Sequence, residues 1–187
     1  MEWKAETEVN PDLHIADVER RVRRIKLLLM DCDGVLTDGR LELLENGDEQ
    51  KTFHARDGQG ISLLHHAGLK TGIITGRTST AVERRAQELS MAYVRQNRKN
   101  KVEALEDILA RAGVTLDECA YIGDDLGDIP VMRRVEFAVA VADAVVETKQ
   151  AAHYVTVLRG GHGAVREVCD LILKAQGHWH ELMKRFG

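Results

Sequence analysis

Short apolar runs alternate with amphipathic segments along most of the chain. Apolar runs of this kind are typical of strands buried on both faces, and their alternation with helices is typical of a parallel sheet covered on both sides. We therefore expect an α/β protein with a three-layer, Rossmann-like αβα architecture. Predicted strands occupy residues 25–30, 71–75, 92–95, 120–123, 137–141 and 154–158, and predicted helices residues 60–67, 80–90, 101–112, 129–135, 144–151 and 164–176.

One segment departs from this alternation. Residues 40–45 and 49–54 flank Asn46-Gly47, which is a strong signal for a two-residue hairpin turn. We expect a hairpin at about residues 40–54, packed on the body or on another subunit, because a lone hairpin is marginally stable in water. The pattern contains no repeat or linker, so the 187 residues are predicted to form one domain. We expect the tail at 177–187 to be either mobile or docked on another subunit.

Composition narrows the class of function. Lys and Arg number 26 and Asp and Glu 30, which gives a net charge of −4 and argues against nucleic acid or an anionic membrane as the main partner. Three cysteines without metal-type spacing suit reduced thiols. The charged N-terminus has no apolar core typical of a secretory signal, and no apolar run is long enough to cross a bilayer. We expect a cytoplasmic protein.

The first chemical feature is a pair of carboxylates at the end of a predicted strand. Asp31 and Asp33 follow the apolar run 27–30 and precede Gly34. The carboxyl end of a parallel strand is where ligands bind in open α/β sheets, and side chains two residues apart in a strand point the same way. Two buried carboxylates imply a cation, and oxygen ligands beside a phosphate favour Mg²⁺. The alternative for this stretch alone is a turn with solvated carboxylates.

Further polar groups follow the other predicted strands. Thr75-Gly76-Arg77 opens a helix and suits a phosphate, although a hydroxyl and a glycine also occur in ordinary helix starts. Lys101 lies at a helix start, where a cation is disfavoured unless an anion holds it; a solvated charged face is the alternative. Three carboxylates leave another strand end, and one of them could complete the cation site: Asp124, Asp125 and Asp128. A calcium loop of the EF-hand type is the competing interpretation, but no Glu lies in the required register.

Taken together, the order of these motifs resembles the haloacid dehalogenase superfamily of phosphohydrolases from Ile25 to about Gln176. Receiver domains of two-component signalling also gather Asp, Thr and Lys at strand ends, but their acidic pair lies on a separate strand from the phosphate acceptor. Between Asp31 and Thr75 there is room for the hairpin and a helix, and between Lys101 and Asp124 for a helix and a strand. The chain therefore resembles the superfamily members without a large cap domain.

The resemblance implies a role for each motif. Asp31 would be the nucleophile that forms an aspartyl-phosphate, and Asp33 would act as general acid and then general base. Mg²⁺ would be held by Asp31, by the Asp33 backbone carbonyl and by Asp124. Thr75, Gly76 and Lys101 would bind phosphoryl oxygens, and Asp125 and Asp128 would order bound water or Lys101. A phosphomutase shares this chemistry but typically needs a cap.

Two further stretches, residues 53–61 and 159–167, resemble a capless subgroup of homotetrameric enzymes that act on phosphorylated sugar acids. The resemblance implies hydrolysis of 3-deoxy-D-manno-octulosonate (KDO) 8-phosphate in lipopolysaccharide precursor synthesis; N-acylneuraminate or KDN 9-phosphate hydrolysis and a non-catalytic assembly domain are the alternatives. Ser62 stands where relatives often have an Arg. Arg77 and Arg85 lie about two helical turns apart, and we expect them to share roughly one face. The expected substrate contacts are Asp33, His54, Ala55, Arg56, Asp57, Gly58, Arg77, Arg85 and Lys101.

Overall fold

The computed structural model describes residues 15–45 and 49–186. In these ranges the strands are β1 (Leu27–Met30), β2 (Glu42–Leu43), β3 (Glu49–Gln50), β4 (Lys70–Ile74), β5 (Tyr93–Arg95), β6 (Cys119–Gly123), β7 (Phe137–Ala140) and β8 (Tyr154–Val155). The α-helices are α1 (Ile15–Val22), α2 (Ala55–His66), α3 (Thr80–Glu88), α4 (Lys101–Ala112), α5 (Ile129–Met132), α6 (Val146–Gln150), α7 (Ala164–Ala175) and α8 (Trp179–Met183). Short 3₁₀-helices lie at Leu116–Glu118, Leu126–Asp128 and Lys184–Phe186.

The main sheet has six strands in the order β5-β4-β1-β6-β7-β8, and every neighbouring pair is parallel. Leu29 of the central strand β1 pairs with Gly72 on one side and with Tyr121 on the other. All residues of β1, β6 and β7 are buried, because helices cover both faces of the sheet. The predicted α/β class with a parallel sheet is confirmed.

Two helical predictions need correction. Helix α2 begins at Ala55 instead of Gly60, so the residues expected to form a loop at 54–58 are the N-cap and first turn of a helix. Asp57 accepts a hydrogen bond from the backbone N–H of Arg166 in α7, a tertiary contact that no local pattern contains. Helix α3 begins at Thr80, so Arg77 precedes it and the expected common helical face with Arg85 does not exist.

The expected hairpin is present but shorter than predicted. Strands β2 and β3 pair antiparallel, with Glu42 opposite Gln50 and Leu43 opposite Glu49. The predicted turn at Asn46-Gly47 lies outside the described residues. Leu43 is 72% exposed, so the outer side of the hairpin carries apolar surface that the body of the protein does not cover.

Two chain segments meet closely above the carboxyl end of β1. Gly34 follows the strand with a φ of +89°, a left-handed conformation that favours glycine. A Cβ on Gly160 would lie 1.7 Å from the carbonyl oxygen of Gly34, and Gly161 donates its backbone N–H to the carbonyl of Val35 at 2.9 Å. The glycines at 160 and 161 therefore let the segment before α7 pack directly on the loop that carries Asp31.

The C-terminal segment packs on its own chain. Helix α8 contacts α7, Leu182 is buried, and the Lys174 ammonium lies 4.9 Å from the centre of the Trp179 ring. The tail therefore has a partner in α7, and its mobility or its docking on another subunit stays a prediction. Across the residues described by the structure, none of the helices combines the length and the apolar character required for a membrane span.

Candidate active site

Three carboxylates converge at the carboxyl ends of β1 and β6. Oxygens of Asp31, Asp124 and Asp128 all lie within 4.8 Å of one another. Asp31 follows β1 directly and Asp124 follows β6, and these strands are neighbours in register. A Cβ on Gly34 would lie 2.0 Å from Oδ2 of Asp124, so the glycine makes room for this carboxylate beside the Asp31 loop. Adjacent parallel strands thus bring these acids to one point.

Lys101 lies between two of these carboxylates. Its Nζ is 2.9 Å from Oδ2 of Asp31 and 2.7 Å from Oδ1 of Asp128, and its side chain is 9% exposed. Burial lowers the pKa of Lys101, but the two carboxylates raise it more, so the net pKa lies above the ordinary value. The anions expected to hold a cation at this helix start are therefore side chains of the protein itself.

Asp128 holds several parts of the site together. Its Oδ1 accepts the Tyr121 hydroxyl at 2.7 Å in addition to Lys101, and its Oδ2 accepts the backbone N–H of Asp124 at 3.0 Å. The N–H of Asp125 also reaches Oδ2, at 3.3 Å. Asp128 is 1% exposed, and both of its oxygens are occupied by protein donors. It is therefore better suited to orient Lys101 than to bind a ligand directly.

The charge balance of the cluster fits a divalent cation. Burial, then the charges of Asp31 and Asp128, raise the pKa of Asp124 to about 8, and burial raises the pKa of Asp31 to about 6 despite the opposing effect of Lys101. Oδ1 of Asp124 is buried without a hydrogen-bond partner. Three carboxylates against one ammonium leave two negative charges, which a hard divalent cation such as Mg²⁺ would compensate. Asp31 and Asp124 are the carboxylates available to hold it, and a contribution of the Asp33 carbonyl stays a prediction.

A row of alternating charges lies beside this cluster. Lys51 forms an ion pair with Oδ1 of Asp33 and lies 3.4 Å from Oε2 of Glu49, while Glu49 pairs through Oε1 with Arg77. Neither Lys51 nor Glu49 was predicted from the sequence to have a role in the site. Their spacing could have pointed to a shared role, because side chains two residues apart on a strand lie on the same face, and Glu49 and Lys51 therefore point to the same side of the hairpin.

The structure places Thr75 and Gly76, two of the residues predicted to bind phosphate, at the end of β4, next to β1. Thr75 is 2% exposed, and its Oγ1 accepts the backbone N–H of Arg77 at 3.3 Å. Gly76 is exposed, and no atom lies within 4 Å of the position that a Cβ would take. The backbone at Gly76 is therefore open to a ligand, as a phosphoryl group would require.

Of the remaining residues predicted to contact substrate, some are held by partners within the chain and others are exposed or lack a hydrogen-bond partner. Asp57 is 1% exposed and binds the backbone of Arg166, which joins α2 to α7 and turns this carboxylate away from solvent; burial raises its pKa. The Arg85 guanidinium packs 5.9 Å from the Phe53 ring centre, and a Cβ on Gly58 would lie 2.3 Å from this guanidinium.

The other predicted residues have few side-chain hydrogen bonds within the described part of the chain. His54 Nδ1 is buried without a hydrogen-bond partner, and Ala55 and Arg56 are exposed. Asp125 is also exposed, and its carboxylate accepts the backbone N–H of Leu126.

Comparison with known proteins gives consistent relatives. The sequence profile described as haloacid dehalogenase-like hydrolase matches residues 91–167. The KDO 8-phosphate phosphatase KdsC of Escherichia coli (strain K12) is 45% identical over 166 residues, which are 89% of this chain and 88% of the relative. The KDO 8-phosphate phosphatase of Moraxella catarrhalis, solved with magnesium, phosphate and KDO, matches with a TM-score of 0.91 and 40% identity over 93% of this chain and 100% of that chain.

A further solved structure agrees with these. The cobalt-bound form of the corresponding phosphatase of Haemophilus influenzae matches with a TM-score of 0.82 and 41% identity, over 84% of this chain and 92% of that chain. Sequence identity of this level over most of both chains, together with the same fold, exceeds what a shared architecture alone would produce. The chain belongs to the 3-deoxy-D-manno-octulosonate 8-phosphate phosphatase family of haloacid dehalogenase-like hydrolases.

Proposed function

We propose that the protein is a Mg²⁺-dependent phosphatase that hydrolyses KDO 8-phosphate to KDO and inorganic phosphate in lipopolysaccharide precursor synthesis. The observation that carries the proposal is the juxtaposition of Asp31, Lys101 and Asp124 at the end of the central strand, with one buried carboxylate oxygen left without a partner. The relatives that share this chain over most of its length support the choice of substrate.

The proposed reaction has two steps on the same pair of residues. An oxygen of Asp31 attacks phosphorus, and the P–O bond to the sugar breaks while Asp33 gives its proton to the leaving sugar oxygen. Asp33, now a carboxylate, takes a proton from water as that water attacks phosphorus and releases the Asp31 carboxylate and phosphate. When bound, Mg²⁺ would neutralise charge on the phosphoryl oxygens.

Lys101 and the end of β4 would stabilise the phosphoryl group. Lys101 contacts Oδ2 of Asp31, which places its ammonium beside the carboxylate that would attack phosphorus. We assign phosphoryl contacts to the Thr75 hydroxyl and to the backbone amide of Gly76, because both groups lie at the edge of the sheet next to Asp31. Asp128 would fix Lys101 in place.

For the sugar acid, two guanidinium groups are the strongest candidates. Arg77 and Arg85 each pair with a carboxylate in this structure, Glu49 and Glu88 respectively, and an incoming sugar-acid carboxylate could take the same position. We retain Asp33 and Lys101 as contacts of the phosphoester and assign Asp57 to the junction of α2 and α7. The other proposed contacts at the start of α2 are His54, Ala55, Arg56 and Gly58.

We also propose a cytoplasmic homotetramer. Leu41, Leu43 and Leu44 of the hairpin segment are 50%, 72% and 45% exposed, and exposed leucines close together on a strand edge are typical of an interface. Because residues 15–45 and 49–186 form no large cap over the site, a neighbouring subunit would exclude water from it. The three cysteines are buried free thiols, as expected for a reducing compartment.

Phosphate release tests the proposed function. We expect the wild-type protein to hydrolyse KDO 8-phosphate when Mg²⁺ is present, to lose activity in EDTA, and to act poorly on N-acylneuraminate 9-phosphate. Asp31→Asn should abolish turnover while leaving the melting temperature nearly unchanged, whereas Asp117→Asn, at an exposed carboxylate paired with Arg24, should keep full activity. Turnover by Asp31→Asn would rule out this residue as the nucleophile, and preference for the nine-carbon ester would overturn the substrate.

A further inference from the structure

Lys51 is an unusual residue for an exposed hairpin. It follows β3 directly, yet its side chain is 2% exposed, whereas Leu43 on the same hairpin is 72% exposed. Burying an ammonium group is costly unless an anion compensates it. The compensating group is Oδ1 of Asp33, to which Lys51 Nζ forms an ion pair. The hairpin therefore places a buried cation against the residue proposed to transfer the proton.

Glu49 supports Lys51 from the same strand. Its Oε2 lies 3.4 Å from Lys51 Nζ, while its Oε1 pairs with the Arg77 guanidinium. The Glu49 side chain is 15% exposed, so this pair is largely removed from solvent. The alternating charges link the loop after β1, the hairpin and the loop after β4. Such a chain fixes each member more firmly than a single exposed ion pair would.

The contact with Asp33 distinguishes its two carboxylate oxygens. Oδ1 is occupied by Lys51, so Oδ2 is the oxygen left to carry the proton. We propose that Lys51 is a positioning residue that binds Oδ1 of Asp33 and presents Oδ2 to the leaving sugar oxygen, and that Glu49 holds Lys51 in this position. This inference rests on the proposed phosphatase function. In the step concerned, the proton passes from Oδ2 to the sugar oxygen as its bond to phosphorus breaks.

The leaving group provides the test. A sugar oxygen must be protonated as it departs, whereas p-nitrophenolate leaves without a proton. We expect Lys51→Met to lower kcat/KM for KDO 8-phosphate about tenfold to a hundredfold and to lower kcat/KM for p-nitrophenyl phosphate less than about threefold. Lys51→Arg, which keeps the charge, should recover most of the loss. Lys26→Met, at an exposed lysine paired with Glu118, is the matched control and should change neither value.

A second measurement needs no activity. In the metal-free protein, Lys51→Met should speed hydrogen exchange at residues 33–38 and 49–53, and Lys51→Arg should not. If Lys51→Met does not fold, Lys51→Gln carries the same comparison of two esters. Equal losses on both esters, or none on either, would overturn the positioning role while leaving the proposed function intact. A wild-type protein inactive on KDO 8-phosphate would instead contradict the proposed function and this inference with it.

Discussion

At the scale of single residues, the site is defined by an excess of negative charge in a buried place. Asp31, Asp124 and Asp128 share one ammonium, that of Lys101, and both Asp31 and Asp124 have raised pKa values because burial and mutual repulsion disfavour their charged forms. Without a bound metal ion, protons are the available means of reducing the repulsion between these carboxylates. A bound metal and a bound proton therefore compete for the same oxygens.

This competition predicts a pH-dependent effect of Mg²⁺ on stability. The pKa of Asp124 is raised to about 8 in the folded protein, far above its value in an unfolded chain, so the folded state binds more protons from about pH 4 to about pH 8. The metal-free protein should therefore lose stability as the pH rises through this range. Added Mg²⁺ should raise the melting temperature more at about pH 8 than at about pH 6, because fewer protons must be displaced.

Thermal unfolding in EDTA and in millimolar Mg²⁺ at both pH values checks this expectation. Asp124→Asn, which keeps the shape of the side chain without its charge, should remove most of the increment due to Mg²⁺ at either pH. Asp117→Asn, at an exposed carboxylate with no proposed role in metal binding, should retain the increase in melting temperature due to Mg²⁺. An increment of equal size at both pH values would show that protons on Asp31 and Asp124 do not compete with the metal.

The residues that the sequence identified and those that it missed differ in one respect. Asp31, Thr75 and Asp124 lie at the carboxyl ends of predicted strands and Lys101 at the start of a predicted helix, so the rule that parallel strands end at one side of a sheet suffices to group them. Lys51, Glu49 and Tyr121 are recognised only by their side-chain partners, such as Asp33 for Lys51, 18 residues away, and Asp128 for Tyr121, seven residues away. Such pairs depend on how the hairpin and the strand face lie in three dimensions, which a local pattern does not contain.

At the scale of elements, the buried strands and most helix starts were predicted well, and the start of α2 was not. Fully apolar runs such as those of β1 and β7 admit few alternative structures, and the structure places each within one or two residues of its expected bounds. Helix α2 starts five residues before its predicted start, and its first turn is held on α7 by the hydrogen bond that the Asp57 carboxylate accepts from the backbone N–H of Arg166. Element boundaries of this kind are set by packing.

The contact between the segment before α7 and the loop after β1 yields a prediction for an element. Gly160→Ala would place a methyl group 1.7 Å from the Gly34 carbonyl oxygen, so one of the two backbones must move. We expect the free energy of unfolding to fall by about 2–3 kcal/mol and kcat to fall with it, because the displaced loop carries Asp31 and Asp33. Urea denaturation and phosphate release measure the two effects.

A matched glycine separates close packing from the general cost of an added methyl group. Gly127 has no atom within 4 Å of its Cβ position and no positive φ, so Gly127→Ala should stay within about 1 kcal/mol of the wild-type stability. If Gly160→Ala were as stable as Gly127→Ala, the two segments would not be in the tight contact seen in the structure.

At the scale of the whole molecule, the strand order decides where the chemistry takes place. Strands β4, β1 and β6 lie side by side, so the residues proposed to bind phosphate after β4 and the acids after β1 and β6 form one row. The sequence pattern predicts parallel strands but not their order, because order depends on how the crossover helices pack. The hairpin then covers one side of this row through Lys51 and Glu49, and its outer side carries exposed leucines.

The exposed leucines of the hairpin predict how the protein assembles. Leu43 is 72% exposed on a strand whose outer edge is unpaired among the described residues, so self-association would bury apolar surface and satisfy the free edge. We expect light scattering after gel filtration to give the mass of a tetramer for the wild type and of a smaller species for Leu43→Lys, whose charge would be buried in the interface. Leu116→Lys, at a leucine 39% exposed just before the amino end of β6, should remain tetrameric. A wild-type monomer at working concentration would contradict the proposed assembly, and full activity of that monomer would show that the hairpin and the body exclude water from the site without a neighbour.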